Sequence, residues 1–290
     1  MTATSRRIFT GIATGACWAA VLLFAPPSAL FVALLICSSL CQWEFYKLAE
    51  LGGLTTCRAI GVALGALWLS VCFAYPVGSG DFRTAALLLL FGGGLLLLTV
   101  LLFNPRVQRP IESAGTTLLG LFYVPFLLSF YIHLGHWGAT TPLTLTHEGI
   151  FLAFFASLVV KMTDVGGYAV GMKFGKHKMF PRVSPAKSWE GLAGGLALAV
   201  ACSVGVVQLA HCWAIVPVTP LSHVSLPVAA ALGLLLGVVG VIGDLIESMF
   251  KRSAHTKDSG GVLPGLGGAL DVFDSLLFAP AVMCFLLPLL

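Results

Sequence analysis

Charge is what this sequence has least of. Only 10% of its 290 residues are Asp, Glu, Lys or Arg, against 58% hydrophobic, and the mean hydropathy is +0.98. So little polar surface cannot cloak a water-soluble globule of this size, and lipid is the expected solvent for most of the chain. Ligand-spaced cysteines are missing too. The eight cysteines form no CxxC pair and no His/Cys ligand pattern, which argues against a disulfide framework or a zinc site. Cys17, Cys37, Cys41, Cys72, Cys202, Cys212 and Cys284 lie in or beside apolar runs, where a thiol packs as a small hydrophobe, and Cys57 alone falls in a loop. There is no internal repeat, and no small-residue cleavage site follows the first apolar run. Residues 8–24 therefore read as a first membrane span rather than a removed signal.

What is present is a series of runs near the ~20 apolar residues that cross a bilayer. Nine are expected, over 8–24, 28–48, 59–77, 84–103, 114–134, 150–171, 191–211, 226–250 and 269–289. Helices are the natural reading, because the runs lack the alternation of barrel strands and a helix satisfies its own backbone in lipid. The expected class is an all-α integral membrane protein, folded as a single polytopic domain over 1–290. With Arg6 and Arg7 inside, the even-numbered loops also fall inside, carrying Lys47 and Arg58, Arg106 and Arg109, the five cations of 173–187, and Lys251, Arg252 and Lys257. Fourteen of the 16 Lys and Arg are thus sorted by the positive-inside rule, leaving Arg83 outside and Lys161 within a span. The sorting predicts a cytoplasmic amino terminus, an external carboxyl terminus and, in a bacterial cell, the inner membrane. Apart from Glu44 and Lys47, the first five spans carry no charge. Residues 1–135 are accordingly read as mainly scaffold, and 150–290 as the catalytic helices and cytoplasmic loops.

The chemistry-bearing residues cluster where the last two spans meet the cytoplasmic face. Asp244 and Glu247 stand one turn apart at the end of the eighth span, and Asp271 and Asp274 repeat that spacing at the start of the ninth. Reversal of the chain between them returns both pairs to one depth, where an unpaired acid costs several kcal/mol. Two readings are open. The acids pair with Lys251, Arg252 and Lys257 as interfacial anchors, Glu247 and Lys251 being spaced i, i+4. Alternatively Asp244, Asp271 and Asp274 hold Mg²⁺, a hard cation that takes a few carboxylates and bridges to phosphates, with Glu247 the weakest member. Between the pairs, residues 257–268 contain Lys257, Asp258 and five glycines, Gly267 and Gly268 among them. This is either a re-entrant turn or a phosphate-approaching loop backed by the dipole of the ninth helix. In the other inner loop, Ser184, Lys187 and Ser188 precede the seventh span, either as a capped helix start with a snorkelling lysine or as a phosphate contact. Lys161 and Asp164 form a one-turn pair inside the sixth span.

These residues resemble the phosphatidate cytidylyltransferases, or CDP-diacylglycerol synthases. The signature S-x-x-K-R-x4-K-D-x-G-x2-L-P-x-H-G-G-x-x-D-R-x-D is met in register by Ser248, Lys251, Arg252, Lys257, Asp258, Gly260, Leu263, Pro264, Gly267, Gly268, Asp271 and Asp274. The segments 164–175 and 184–191 are also similar to that family. Leu266 stands where the family has His, Val272 where it has Arg, Ala269 where a larger aliphatic is usual and Ala186 where Lys is common, so no imidazole and fewer cations are available here.

The resemblance implies transfer of a cytidylyl group from CTP to phosphatidate, yielding CDP-diacylglycerol and pyrophosphate. The chemistry of the acids adds the expectation of Mg²⁺ held by Asp244 and Asp271, with Asp274 as a ligand or supporting partner and room for a second cation. The candidate catalytic residues are Asp244, Lys251, Arg252, Lys257, Asp258, Asp271 and Asp274. Asp164, Ser184, Lys187, Ser188, Gly267 and Gly268 are candidates for the CTP and metal side. CTP, phosphatidate and membrane lipids are the implied partners, with no nucleic acid and, as an option, a second copy in a homodimer. A CTP-dependent kinase of a polyprenol-type alcohol and a membrane transporter are the alternatives. A carrier would bind near the midplane, whereas these acids gather at one face.

Overall fold

Long apolar runs with polar punctuation fold as helices in the computed structural model, which describes residues 3–104, 107–139, 141, 143–212, 220–262 and 267–290. The elements in chain order are α1 Ala3–Phe24, α2 Pro27–Leu51, α3 Arg58–Ala74, α4 Gly80–Phe103, α5 Pro110–Leu121, α6 Leu127–Gly135, α7 His147–Phe174, β1 Lys178–Phe180, β2 Ser184–Ser188, α8 Trp189–Cys212, α9 Leu226–Ser253, α10 Leu270–Phe273 and α11 Ala279–Leu286. Among the described residues, seven helical stretches are long and apolar enough to cross a membrane: Pro27–Leu51, Gly80–Phe103, Pro110–Gly135, His147–Phe174, Trp189–His211, Leu226–Ser253 and Leu270–Leu289. The apolar parts of the first and third expected spans, Ala13–Phe24 and Arg58–Ala74, are shorter. Hydroxyls begin several of these helices, as capping physics requires. Ser79 accepts the Phe82 N–H on α4, Thr146 the Gly149 N–H on α7 and Ser188 the Gly191 N–H on α8.

Three features depart from uninterrupted spans. The fifth run is continuous but carries a π-turn at Phe122–Phe126 with Pro125 inside it, a known way to absorb a proline. The loop before α8 is a two-stranded antiparallel hairpin, with Lys178 opposite Ser188 and Phe180 opposite Ser184. The last run is broken: after the single turn of α10 the chain tightens to a 3₁₀ turn over Asp274–Leu276 and resumes helix at Ala279. Pro280, in the first turn of α11, cannot donate to a carbonyl four residues back, so it starts a helix better than it continues one. The break also leaves only a one-turn helix behind the glycine-rich loop, so the dipole expected to back that loop is small.

Packing is closest between α7 and α8, where glycine faces glycine. A Cβ added at Gly166 would lie 2.7 Å from the Gly194 carbonyl oxygen and 3.0 Å from the Gly195 Cα, and one at Gly195 would lie 2.7 Å from the Thr163 carbonyl oxygen. Small residues let helices approach in this way where no hydrophobic effect drives them together. Gly166→Val is therefore expected to force the pair apart and cost ~1–3 kcal/mol, read as a lower unfolding midpoint in a denaturing-detergent titration. Gly205→Val on the same α8, where nothing lies within 4 Å, should leave the midpoint unchanged. This tight pair carries Lys161 and Asp164 on α7 and Lys187 just before α8.

The amino-terminal helices are pinned by buried polar contacts. The Tyr46 hydroxyl donates to the Thr117 carbonyl at 2.8 Å, and Gln42 Nε2 donates to the Gly61 carbonyl at 2.9 Å. These bonds fix the register of α2 against α3 and α5.

Candidate functional site

The acidic pairs of α9 and of the segment opening at Leu270 converge. One carboxylate oxygen from each of Asp244, Glu247 and Asp274 lies within 4.8 Å of the other two. Glu247 and Asp274 are buried, and Asp244 is partly exposed, so the cluster has one open side. Gly243 makes the convergence sterically possible, because any Cβ there would meet the Asp274 carbonyl oxygen.

Each acid is attached to a lysine network. Lys187 Nζ lies 2.9 Å from Asp244 Oδ2 and also donates to the Val241 carbonyl. Lys251 Nζ bridges two acids, ion-pairing with Glu247 and, at 2.7 Å, with Asp271 Oδ1. Lys161 Nζ sits 3.3 Å from Asp164 and donates to the Val272 carbonyl and the Ser275 hydroxyl, while that hydroxyl donates to Asp164 at 3.1 Å. Asp274 in turn accepts the Ser275 N–H. Five carboxyl groups (Asp164, Asp244, Glu247, Asp271 and Asp274) thus face three lysines, two more acids than bases. Oxygen ligands in that excess suit a hard divalent cation, and without one the three clustered carboxylates repel one another.

Asp271 stands apart from that cluster. Its Oδ1 is held by Lys251, and its Oδ2 accepts the Ser259 N–H at 2.9 Å, the Ser259 hydroxyl at 2.9 Å and the Gly268 N–H at 2.7 Å. Gly267, with φ near +100°, turns the backbone over this carboxylate where a side chain would strike it. The sequence reading ranked Asp271 above Glu247 as a metal ligand. The geometry brings Glu247 into the acid cluster and leaves Asp271 clamping the neck of the glycine-rich loop.

The other candidates are distributed around this centre. Ser188 caps α8, and Ser184 opens β2. Arg252 is exposed and ties the end of α9 to the hairpin turn, donating to the Val183 carbonyl at 3.1 Å and the Thr256 carbonyl at 3.2 Å. Lys257 and Asp258 are exposed beyond the end of α9 and do not join the acid cluster. Leu263, Pro264 and Leu266 of the signature lie outside the described residues, as do Arg106 and residues 213–219 of the loop before α9.

Sequence reasoning passed over Glu44, Ser259 and Ser275 as site residues. Glu44 left a visible signal, an acid in the second apolar span, but its partners are more than 200 residues away and no spacing rule reaches them. Ser275 follows Asp274 directly and becomes informative only when α7 brings Lys161 alongside.

The family model described as "Cytidylyltransferase family" matches residues 5–290. The phosphatidate cytidylyltransferase of Bacillus subtilis (strain 168) is 32% identical over 245 residues, covering 84% of this chain and 81% of its own length. That of Staphylococcus saprophyticus is 42% identical over 144 residues, 48% of this chain and 50% of its own. That of Mycobacterium leprae (strain TN) is 34% identical over 189 residues, 65% and 54% of the two chains. The match along almost the whole sequence settles the affiliation: the chain belongs to the cytidylyltransferase family.

Proposed function

We propose that this protein transfers a cytidylyl group from CTP to phosphatidate within the membrane. A phosphate oxygen of phosphatidate forms the new bond to the α-phosphorus of CTP, the bond from that phosphorus to the β-phosphate bridging oxygen breaks, and pyrophosphate leaves. The nucleophile is already an anion, so no general base is needed. What the reaction demands is charge neutralisation and in-line placement. The observation that carries the reading is the acid cluster of Asp244, Glu247 and Asp274 with its three lysines, gathered at one end of an apolar helical bundle. The names of the relatives from Bacillus subtilis and Mycobacterium leprae agree with it.

In this reading Asp244, Glu247 and Asp274 would hold Mg²⁺, and Asp271 holds Lys251 and the neck of the glycine-rich loop. Bound there, Mg²⁺ would neutralise phosphate charge and ease departure of pyrophosphate. Lys251 and Lys187, which face the acids in the resting protein, are positioned to meet phosphates. Arg252, Lys257 and Asp258 are exposed to water beside this end of α9, Ser184 and Ser188 bound the hairpin strand that carries Lys187, and Asp164 orients Lys161. The distribution of Lys and Arg supports nine spans with this face in the cytoplasm of a bacterial inner membrane. The chain works as one polytopic unit, because α2 reaches the same end of the bundle as the acids.

Purified protein in liposomes containing phosphatidate, given CTP labelled at the α-phosphate and Mg²⁺, should release pyrophosphate and retain label in the lipid. Chelation with EDTA should abolish turnover, and excess Mg²⁺ should restore it. Release of CDP with phosphorylation of a lipid alcohol would overturn the reading in favour of a kinase, and solute uptake without CTP turnover would favour a transporter.

A further inference from the structure

Glu44 lies on α2, in the half of the chain that looks like scaffold, yet its side chain ends in the catalytic half. It is 4% exposed. Its Oε2 accepts the backbone N–H of Leu270 at 2.9 Å and faces the Ser259 hydroxyl at 3.4 Å, while Oε1 is buried without a hydrogen-bond partner. Gly260 and Gly268, one on each side of the loop neck, close directly onto this carboxylate. A Cβ at either position would overlap a Glu44 oxygen.

One buried acid thus holds both ends of the glycine-rich loop, and it replaces the missing cap of α10 by accepting the first amide of that turn. Buried carboxylates are costly. A site that keeps one where an apolar side chain could fill the space uses it for something other than packing. The contacts continue inward: the Ser259 hydroxyl that faces Glu44 donates to Asp271, Asp271 pairs with Lys251, and Lys251 pairs with Glu247 of the acid cluster. On the opposite face of α2, Gln42 and Tyr46 lock the helix to α3 and α5, so the post does not slide.

We propose that Glu44 is a positioning residue for cytidylyl transfer: it is the post against which the two ends of the glycine-rich segment are held, and through Ser259 and Asp271 it sets Lys251 beside the acid cluster. The inference rests on the activity proposed above and explains how the amino-terminal half serves it.

In liposomes, Glu44→Ala should lower kcat by about 100-fold, the scale of a misplaced catalytic group, with little change in KM for CTP. Glu44→Gln, which keeps a carbonyl oxygen for the Leu270 N–H, should recover about tenfold or more of that loss. Gly260→Ala should act by displacing the carboxylate, so the Glu44→Ala/Gly260→Ala protein should be no slower than Glu44→Ala alone. Amide exchange reads the clamp without turnover: Leu270 should be protected in the wild type and exchange faster in Glu44→Ala. The proposal is overturned by a wild-type kcat in Glu44→Ala, by losses that multiply in the double variant, by no recovery in Glu44→Gln, or by unchanged exchange at Leu270. An inactive wild type whose Leu270 loses protection on Glu44→Ala would sink the activity assignment and leave the clamp standing.

Discussion

Asp274→Asn is expected to lower cytidylyl transfer about 1,000-fold, equivalent to ~4 kcal/mol of transition-state stabilisation, without unfolding the protein. Asparagine keeps the shape of the buried side chain and one oxygen to accept the Ser275 N–H, the bond Asp274 makes now. What it removes is one of three carboxyl groups whose oxygens lie within 4.8 Å of one another. In the absence of a divalent cation that removal relieves repulsion, so the variant should unfold at an equal or higher detergent concentration than the wild type in EDTA. With Mg²⁺ the order should reverse, because a ligand stabilises a fold in proportion to RT ln(1 + [L]/Kd) and the variant would bind the ion weakly. A crossing of the two stability series thus accompanies the lost activity. Retention of more than about a tenth of the wild-type rate would remove Asp274 from the site.

The same cluster shows how far sequence alone reaches. Asp244, Glu247, Asp271 and Asp274 were legible as two one-turn pairs flanking a chain reversal, and their helix ends do meet, since periodicity and span length together fix depth and facing. Which acid takes which partner was not legible. Glu247 and Lys251 satisfy the i, i+4 rule and do pair, yet Glu247 also reaches the other acids, because Gly243 and the 3₁₀ turn at Asp274 let the two segments approach. Asp271 is drawn away by backbone amides of Ser259 and Gly268 that no side-chain pattern encodes. The break of the last span had a cue in Pro280, but hydropathy averages over it. The hairpin at Lys178–Ser188 is too short for an alternation signal. Glu44 is the clearest limit: its identity as an isolated acid was readable, while its destination depends on how α2 packs against a loop more than 200 residues later.

Lys251→Met should be the most destabilising single change at the site. The lysine side chain is 12% exposed and its two acidic partners, Glu247 and Asp271, are 0% and 9% exposed, so removing the ammonium leaves two buried carboxylates facing each other. Breaking a buried pair in this way costs ~3–5 kcal/mol, seen as an earlier midpoint in a denaturing-detergent titration. Cytidylyl transfer should fall with it, because the cation that links the loop clamp to the acid cluster is gone. Stability and activity then separate in the double variant. Glu247→Gln in the Lys251→Met background removes one of the stranded charges, so it should recover a large part of the lost stability. It should not recover turnover, since it also takes an oxygen ligand from the cluster. If Lys251→Met alone keeps the wild-type midpoint, Glu247 is not charged in the resting protein, and the case for this end of the bundle as a cation site weakens accordingly.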